Sequence, residues 1–169
     1  MKKLNLIQIL NMLDRFGFIG EVRISGYKDG ALVKQTPWMR NKVVSSDGNG
    51  RNLLLQALAG DYAGSIEITH MELGDGTTAA TDADTDTENA IARAQRAFVS
   101  VSGNVLSIKF FFSDGLLPDG SYTELTMWMD GDVGLGTGNI FNRLVFAGSP
   151  YVKAAGEDTS IEVRVTSTG

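Results

Sequence analysis

Ile66-Glu67-Ile68-Thr69-His70-Met71-Glu72-Leu73 alternates apolar and polar side chains over eight positions, the two-residue period of a strand with one buried face. The same period recurs on both sides of it. Upstream, Val22 and Ile24 alternate with Glu21, Arg23 and Ser25, Lys28-Asp29-Gly30 has hairpin-turn chemistry, and 31–35 reads as the return strand. Residues 41–44 form a further short extended piece. Downstream, strands are expected at 92–101, 104–113, 121–130, 138–147 and 159–167, separated by Gly103-Asn104, residues 114–120, the glycine-rich 131–138, and 148–158. Short strands at this spacing, joined by glycine-rich turns, predict a mainly β chain folded as an antiparallel β-sandwich or jelly-roll.

Two segments carry helical spacing instead. Leu53, Leu54, Ala57 and Leu58 predict a short helix over 50–59, closed by Gly60. At the start of the chain, Leu6, Leu10, Leu13 and Phe16 fall on one face of a helix that Gly17 stops. The expected organisation is therefore an N-terminal helical arm, 1–17, and a β-rich domain, 18–169. Polar residues interrupt the apolar stretch of the arm and no small-residue cleavage site follows, so it does not read as a signal peptide. No run of about 18 apolar residues occurs, and no membrane partner is expected.

The 169 residues include no cysteine and one histidine, His70, and carry a formal charge of −5. Thiolate metal sites and cysteine nucleophiles are excluded, and most histidine relays lose their material. The charge is polarised. Residues 1–60 hold nine Lys/Arg and four Asp/Glu, 61–88 hold eight Asp/Glu and no Lys/Arg, and 89–169 hold six and eight, giving +5, −8 and −2. Such asymmetry either orients one copy against another or marks a solvated acidic loop.

Residues 74–90 form that loop, and Asp82, Asp84 and Asp86 in it alternate as hard oxygen ligands for Ca²⁺ would. The EF-hand pattern fails beyond them, at Thr87 and Arg93, which leaves a weak non-EF site. Gly134-Leu135-Gly136-Thr137-Gly138 has no Lys-Ser/Thr and precedes a strand, so it lacks the helix N-terminus that a phosphate loop needs. His70, inside the strand, reads as structural. Asp130, Asp132 and Glu124 lie near strand ends as a weak carboxylate set. The basic residues neither cluster nor interleave with aromatics, so no nucleic-acid partner is expected, and no cofactor is implied. The consecutive Phe110-Phe111-Phe112 predicts burial on both faces. Phe110, Phe112 and Trp128, with Leu6, Leu10, Leu13 and Phe16 of the arm, are the candidate subunit contacts.

The order of motifs resembles that of tailed-bacteriophage virion proteins. Met71-Glu72-Leu73-Gly74-Asp75-Gly76-Thr77-Thr78 ends a strand in Gly-x-Gly-Thr, an acid and threonine loop follows, and Glu88 with Arg93 or Arg96 precedes the next strand. Tyr122-Thr123-Glu124-Leu125, Asn142-Arg143-Leu144-Val145-Phe146 and Ile161-Glu162-Val163-Arg164-Val165 continue the likeness, with Arg40 to Val44 and the 50–59 helix upstream. The resemblance implies a non-enzymatic structural component of a phage particle. A tail or baseplate protein is the first expectation, assembling with itself and other virion proteins, made in the host bacterial cytoplasm and located in the virion. A capsid decoration or head-fibre protein is the second. A carbohydrate-binding tip domain is the third, with Trp38, Trp128 and Tyr122 as stacking platforms.

Overall fold

A computed structural model describes residues 17–168. The N-terminal arm, including Leu6, Leu10, Leu13 and Phe16, lies outside the described residues.

β1 (Gly17–Lys28) and β2 (Ala31–Gln35) form the expected hairpin, and Asp29 and Gly30 both take positive φ, 51° and 77°. That pair of left-handed residues makes the tight turn that matches strand twist. β3 (Met39–Val43) follows, and then α1 (Gly50–Ala59), which occupies the span that its apolar spacing predicts. Gly60 ends α1 in the left-handed region at φ 79°, and its N–H donates to the Ala57 carbonyl. Leu53 is the side chain α1 buries, and the helix packs on the barrel beside β9 (Asn139–Val145).

The remaining chain is antiparallel strand. β4 (Ile68–Gly74), β5 (Ala90–Ser102) and β6 (Val105–Phe112) form a meander, β8 (Glu124–Met129) pairs with both β4 and β9, and β11 (Glu157–Thr168) pairs with β6. β11 also pairs with β1 over twelve residue pairs, from Gly17 opposite Thr168 to Lys28 opposite Glu157. This last pairing closes the sheet. Eight strands, in the order β11-β6-β5-β4-β8-β9-β3-β1, form a barrel, and β2 extends one end of β1. The β-rich antiparallel expectation holds, but the architecture is a closed barrel rather than two packed sheets. Alternation is the same in both, and only the β1–β11 register distinguishes them.

The expected strand at 121–130 is two strands. Thr123 breaks it: its N–H donates to the Gly74 carbonyl at 3.0 Å and its hydroxyl to the Gly76 carbonyl at 2.8 Å. Before it, β7 (Gly120–Tyr122) pairs with β10 (Tyr151–Lys153), a strand inside a segment expected to be turn. Leu117, Tyr122 and Tyr151 thereby join the core and cover one end of the barrel beside Phe112 and Phe146.

Inside, Val22, Ile24, Met71, Leu73, Ile108, Phe110, Phe112, Leu125, Met127, Ile161 and Val163 are fully buried in one continuous cluster. Ala92 and Ala94 on β5, opposite Leu73 and Met71, are the small residues in this packing. Phe110 and Phe112 therefore belong to the interior of their own chain and are not surface contacts, and Phe111 alone points outward, 48% exposed. Trp128, the third expected strand contact, is buried as well, packed with Val44 and Ile140.

Replacing Phe110 by alanine should cost about 3–5 kcal/mol through lost transfer energy and the cavity left behind. Phe111→Ala should stay within about 1 kcal/mol. Urea denaturation of the two variants measures the difference.

Candidate functional site

β8 is buried on both faces along all six of its residues. Leu125, Met127 and Met129 fill the barrel, while Glu124, Thr126 and Trp128 face the other way and are covered by the 75–89 loop, the 131–138 loop and α1's surroundings. A glutamate at such a position must be fully hydrogen-bonded, since burying an unpaired carboxylate is prohibitive.

Glu124 meets that condition with four donors. Its Oε1 accepts from the backbone N–H groups of Gly76 (3.0 Å) and Asn89 (2.7 Å), and its Oε2 from the N–H of Glu88 (3.1 Å) and Nε of Arg143 (3.0 Å). Three of the four donors are backbone groups of one loop, so the carboxylate holds both ends of it. The glycines follow from the approach distance. A Cβ on Gly76 would lie 2.4 Å from Glu124 Oε1, and one on Gly74 2.3 Å from the Asn89 carbonyl oxygen.

Arg143, on β9, gathers three carboxylates: Glu124 at 2.9 Å, Glu88 at 3.0 Å and Asp84 at 3.1 Å. Its side chain is 4% exposed. Burial alone would lower its pKa, and the bonds to Asp84 and Glu124 outweigh that and raise it. Burial likewise opposes ionisation of Asp84, but hydrogen bonds from Thr81 and then Arg143 hold its carboxyl below the usual range. Glu88 is lowered by the hydroxyl and N–H of Thr78, then by Arg143.

Glu72, on the neighbouring β4, repeats the arrangement. Its Oε1 accepts from Arg93 Nη1 (2.6 Å) and the N–H of Gly136 (2.7 Å), and its Oε2 from the Thr87 hydroxyl. Arg93 also donates to the Thr137 carbonyl at 2.7 Å and lies 5.2 Å from the Trp128 ring centre. The glycine-rich 134–138 loop thus does bind an anion through a backbone amide, and that anion is the protein's own glutamate. His70, 5% exposed on the same strand, has its pKa lowered by burial and by the Arg93 charge, so it is neutral at pH 7.

The weak Ca²⁺ set is taken apart by these contacts. Asp82 pairs with Lys42 (3.3 Å) and Arg51 (3.2 Å), Asp84 with Arg143, and Asp86 caps the N–H of Thr87. No group of three acidic or histidine side chains suited to a metal occurs among the described residues. The acidic block therefore meets bases of its own chain: Lys42 and Arg51 belong to the basic first sixty residues. Of the glycan platforms, Trp128 and Tyr122 are 1% exposed, and Trp38 is half-buried with the Arg23 and Arg164 guanidinium carbons 4.5 and 4.1 Å from its ring centre. In the carboxylate set, Glu124 is saturated, Asp130 accepts from the Tyr62 hydroxyl at 2.9 Å and Asp132 caps the N–H of Val133. The alternating pattern hid Glu72 as an ordinary outward residue of a half-buried strand. The signal that marks it and Glu124 is a charged residue flanked by glycine loops of matching reach.

Arg143→Met leaves Glu124 buried without its cation, and should cost about 3–5 kcal/mol, whereas Lys42→Ala at the exposed Asp82 pair should cost at most about 1 kcal/mol. Chemical denaturation checks both. The lowered groups also set the acid response. Each has a folded pKa below its unfolded one, so its stabilisation is complete above the unfolded pKa and is lost as pH falls through the folded value. Stability should decline shallowly below about pH 6.5 as His70 is forced to charge, and steeply below about pH 4 as Asp84 and Glu88 protonate. His70→Gln should remove the shallow limb in denaturation measured against pH.

The chain was compared with protein-family models, with curated proteins and with solved structures, and it matches none of them.

Proposed function

We propose that this chain is a non-enzymatic structural component of a tailed-phage particle, a tail or baseplate protein that assembles with copies of itself and with other virion proteins. The observation that carries the reading is the convergence of Gly74, Gly76, Glu88, Arg93, Glu124 and Arg143. These are residues on which the resemblance to virion proteins rests. From β4, β5, β8, β9 and the 75–89 loop they fasten two covering loops to the barrel wall, Glu124 and Arg143 holding 75–89 and Arg93 with Glu72 holding 134–138, and the buried carboxylate oxygens of Glu72 and Glu124 are all engaged. Carboxylates and arginines paired in this way serve architecture rather than turnover.

Assembly on this reading uses apolar side chains that the barrel leaves outside. Phe98 and Phe111 stand on the outer wall of β5 and β6, 49% and 48% exposed, and Leu32 and Val33 project from β2 at 53% and 50%. Large apolar side chains of this kind mark contacts with other proteins when they are grouped on a surface.

Mass spectrometry of purified particles of the phage that encodes the chain should find it at a fixed ratio to the other virion proteins. Phe98→Asp with Phe111→Asp should leave the barrel folded and deplete the chain from particles at least tenfold. Recovery of the wild-type chain only in the particle-free supernatant would overturn the reading.

A further inference from the structure

The two ends of the barrel differ. At the end where Lys28 pairs with Glu157, Leu117, Tyr122 and Tyr151 fill the interior. Towards the end where Gly17 pairs with Thr168, the interior holds a cavity of about 500 Å³. Its walls are apolar: Ile68, Leu106, Ile108, Met129, Phe141 and Val165. Val99 and Val101 of β5 line it too, and although they stand opposite Ile108 and Leu106 on the inner face of the sheet, they are 43% and 72% exposed.

One base interrupts this lining. β5 shifts register at Ala97, so Arg96 stands opposite Phe110 and turns to the inner face. Among the described residues that line the cavity, Arg96 is the only base. Its side chain is three-quarters buried, and its Nη1 donates to the Ile68 carbonyl at 2.9 Å, which fixes the guanidinium at the cavity wall. Its Nη2 lies 3.5 Å from Glu67, whose side chain is 66% exposed. A pair that long, with one partner in water, holds the guanidinium weakly.

We propose that the cavity binds an amphiphile with a single carboxylate, of the class of medium-chain fatty acids, whose hydrocarbon chain fills the barrel end and whose carboxylate is taken by Arg96. Size is the first argument. The volume falls in the range of small-molecule sites, and an eight-stranded barrel is wide enough to hold one small ligand where its own side chains do not fill it. Polarity is the second. A sugar or a nucleotide would bury hydroxyl groups against valine and leucine without partners, whereas a hydrocarbon chain leaves nothing unpaired there. Charge is the third. The fork of a guanidinium matches a carboxylate, and an incoming one exchanges with Glu67, which returns to water at little cost. A cationic amphiphile would meet Arg96 with like charge. The inference does not depend on the particle to which the barrel belongs.

Calorimetric titration of the full chain with decanoate should give one site per chain. Affinity should rise about fourfold for each methylene added from octanoate to decanoate, as burial of the tail requires. Decanol, with the same tail and no charge, should bind about tenfold more weakly. Arg96→Gln should weaken decanoate by a similar factor and leave decanol unchanged. Val99→Trp, which fills the open side of the cavity from a half-exposed position, should abolish binding of both, with near-ultraviolet circular dichroism reporting that the variant is folded. No binding of decanoate to the wild-type chain at millimolar ligand would overturn the proposal. Equal affinity for decanoate and decanol would overturn the role of Arg96, a result that needs no variant to fold. Undiminished binding to folded Val99→Trp would put the ligand outside the barrel and overturn the site.

Discussion

A carboxylate buried behind a β-strand organises one whole side of this protein. Glu124 faces away from the barrel core into protein rather than water, and its ionised form is tolerated because three loop N–H groups and Arg143 replace the lost solvent. The loop therefore cannot sit elsewhere. Gly74 and Gly76 are required for the backbone to come close enough, Arg143 brings in Asp84 and Glu88 from the far stretch of the same loop, and Glu72 fastens the second loop through Gly136 and Arg93. The barrel wall of β4, β8 and β9 becomes two layers thick there without a second sheet.

Much of this was legible in the residues. The two-residue period located the main strands, Asp29-Gly30 located the hairpin, and the leucine spacing with Gly60 located α1. What was not legible depends on contacts between distant residues. Closure rests on β1 meeting β11, whose paired residues lie 129 to 151 positions apart in sequence, and a strand pattern carries no information about its partner. Phe110-Phe111-Phe112 looks buried on both faces, yet the outer face of β6 leaves Phe111 half in water. The strand truly covered on both sides is β8, and Glu124, which the sequence offers only as one of a weak carboxylate set, gains its role from the loops over it. Thr123 splits the expected 121–130 strand because its N–H and hydroxyl donate to the Gly74 and Gly76 carbonyls.

The charge blocks make a related point. A stretch of −8 beside one of +5 suggests a molecule polarised for contact with another. Folding returns part of the acidic loop onto Lys42, Arg51 and Arg143, so those charges act on their own chain. Net charge by segment measures attraction within the molecule as readily as attraction between molecules. The electrostatics that remain for a partner are those left after this internal pairing.

Barrel closure by β1 and β11 also fixes an order of events during synthesis. β1 is among the first strands to leave the ribosome and β11 the last, so the twelve-pair seam cannot form until nearly all of the barrel has emerged. Until then β1 and β6 each present an unpaired edge, the kind of surface on which newly made chains join one another. Contacts of such long sequence separation also form slowly. The interval between the making of β6 and the arrival of β11 is when these edges are most open to such contacts.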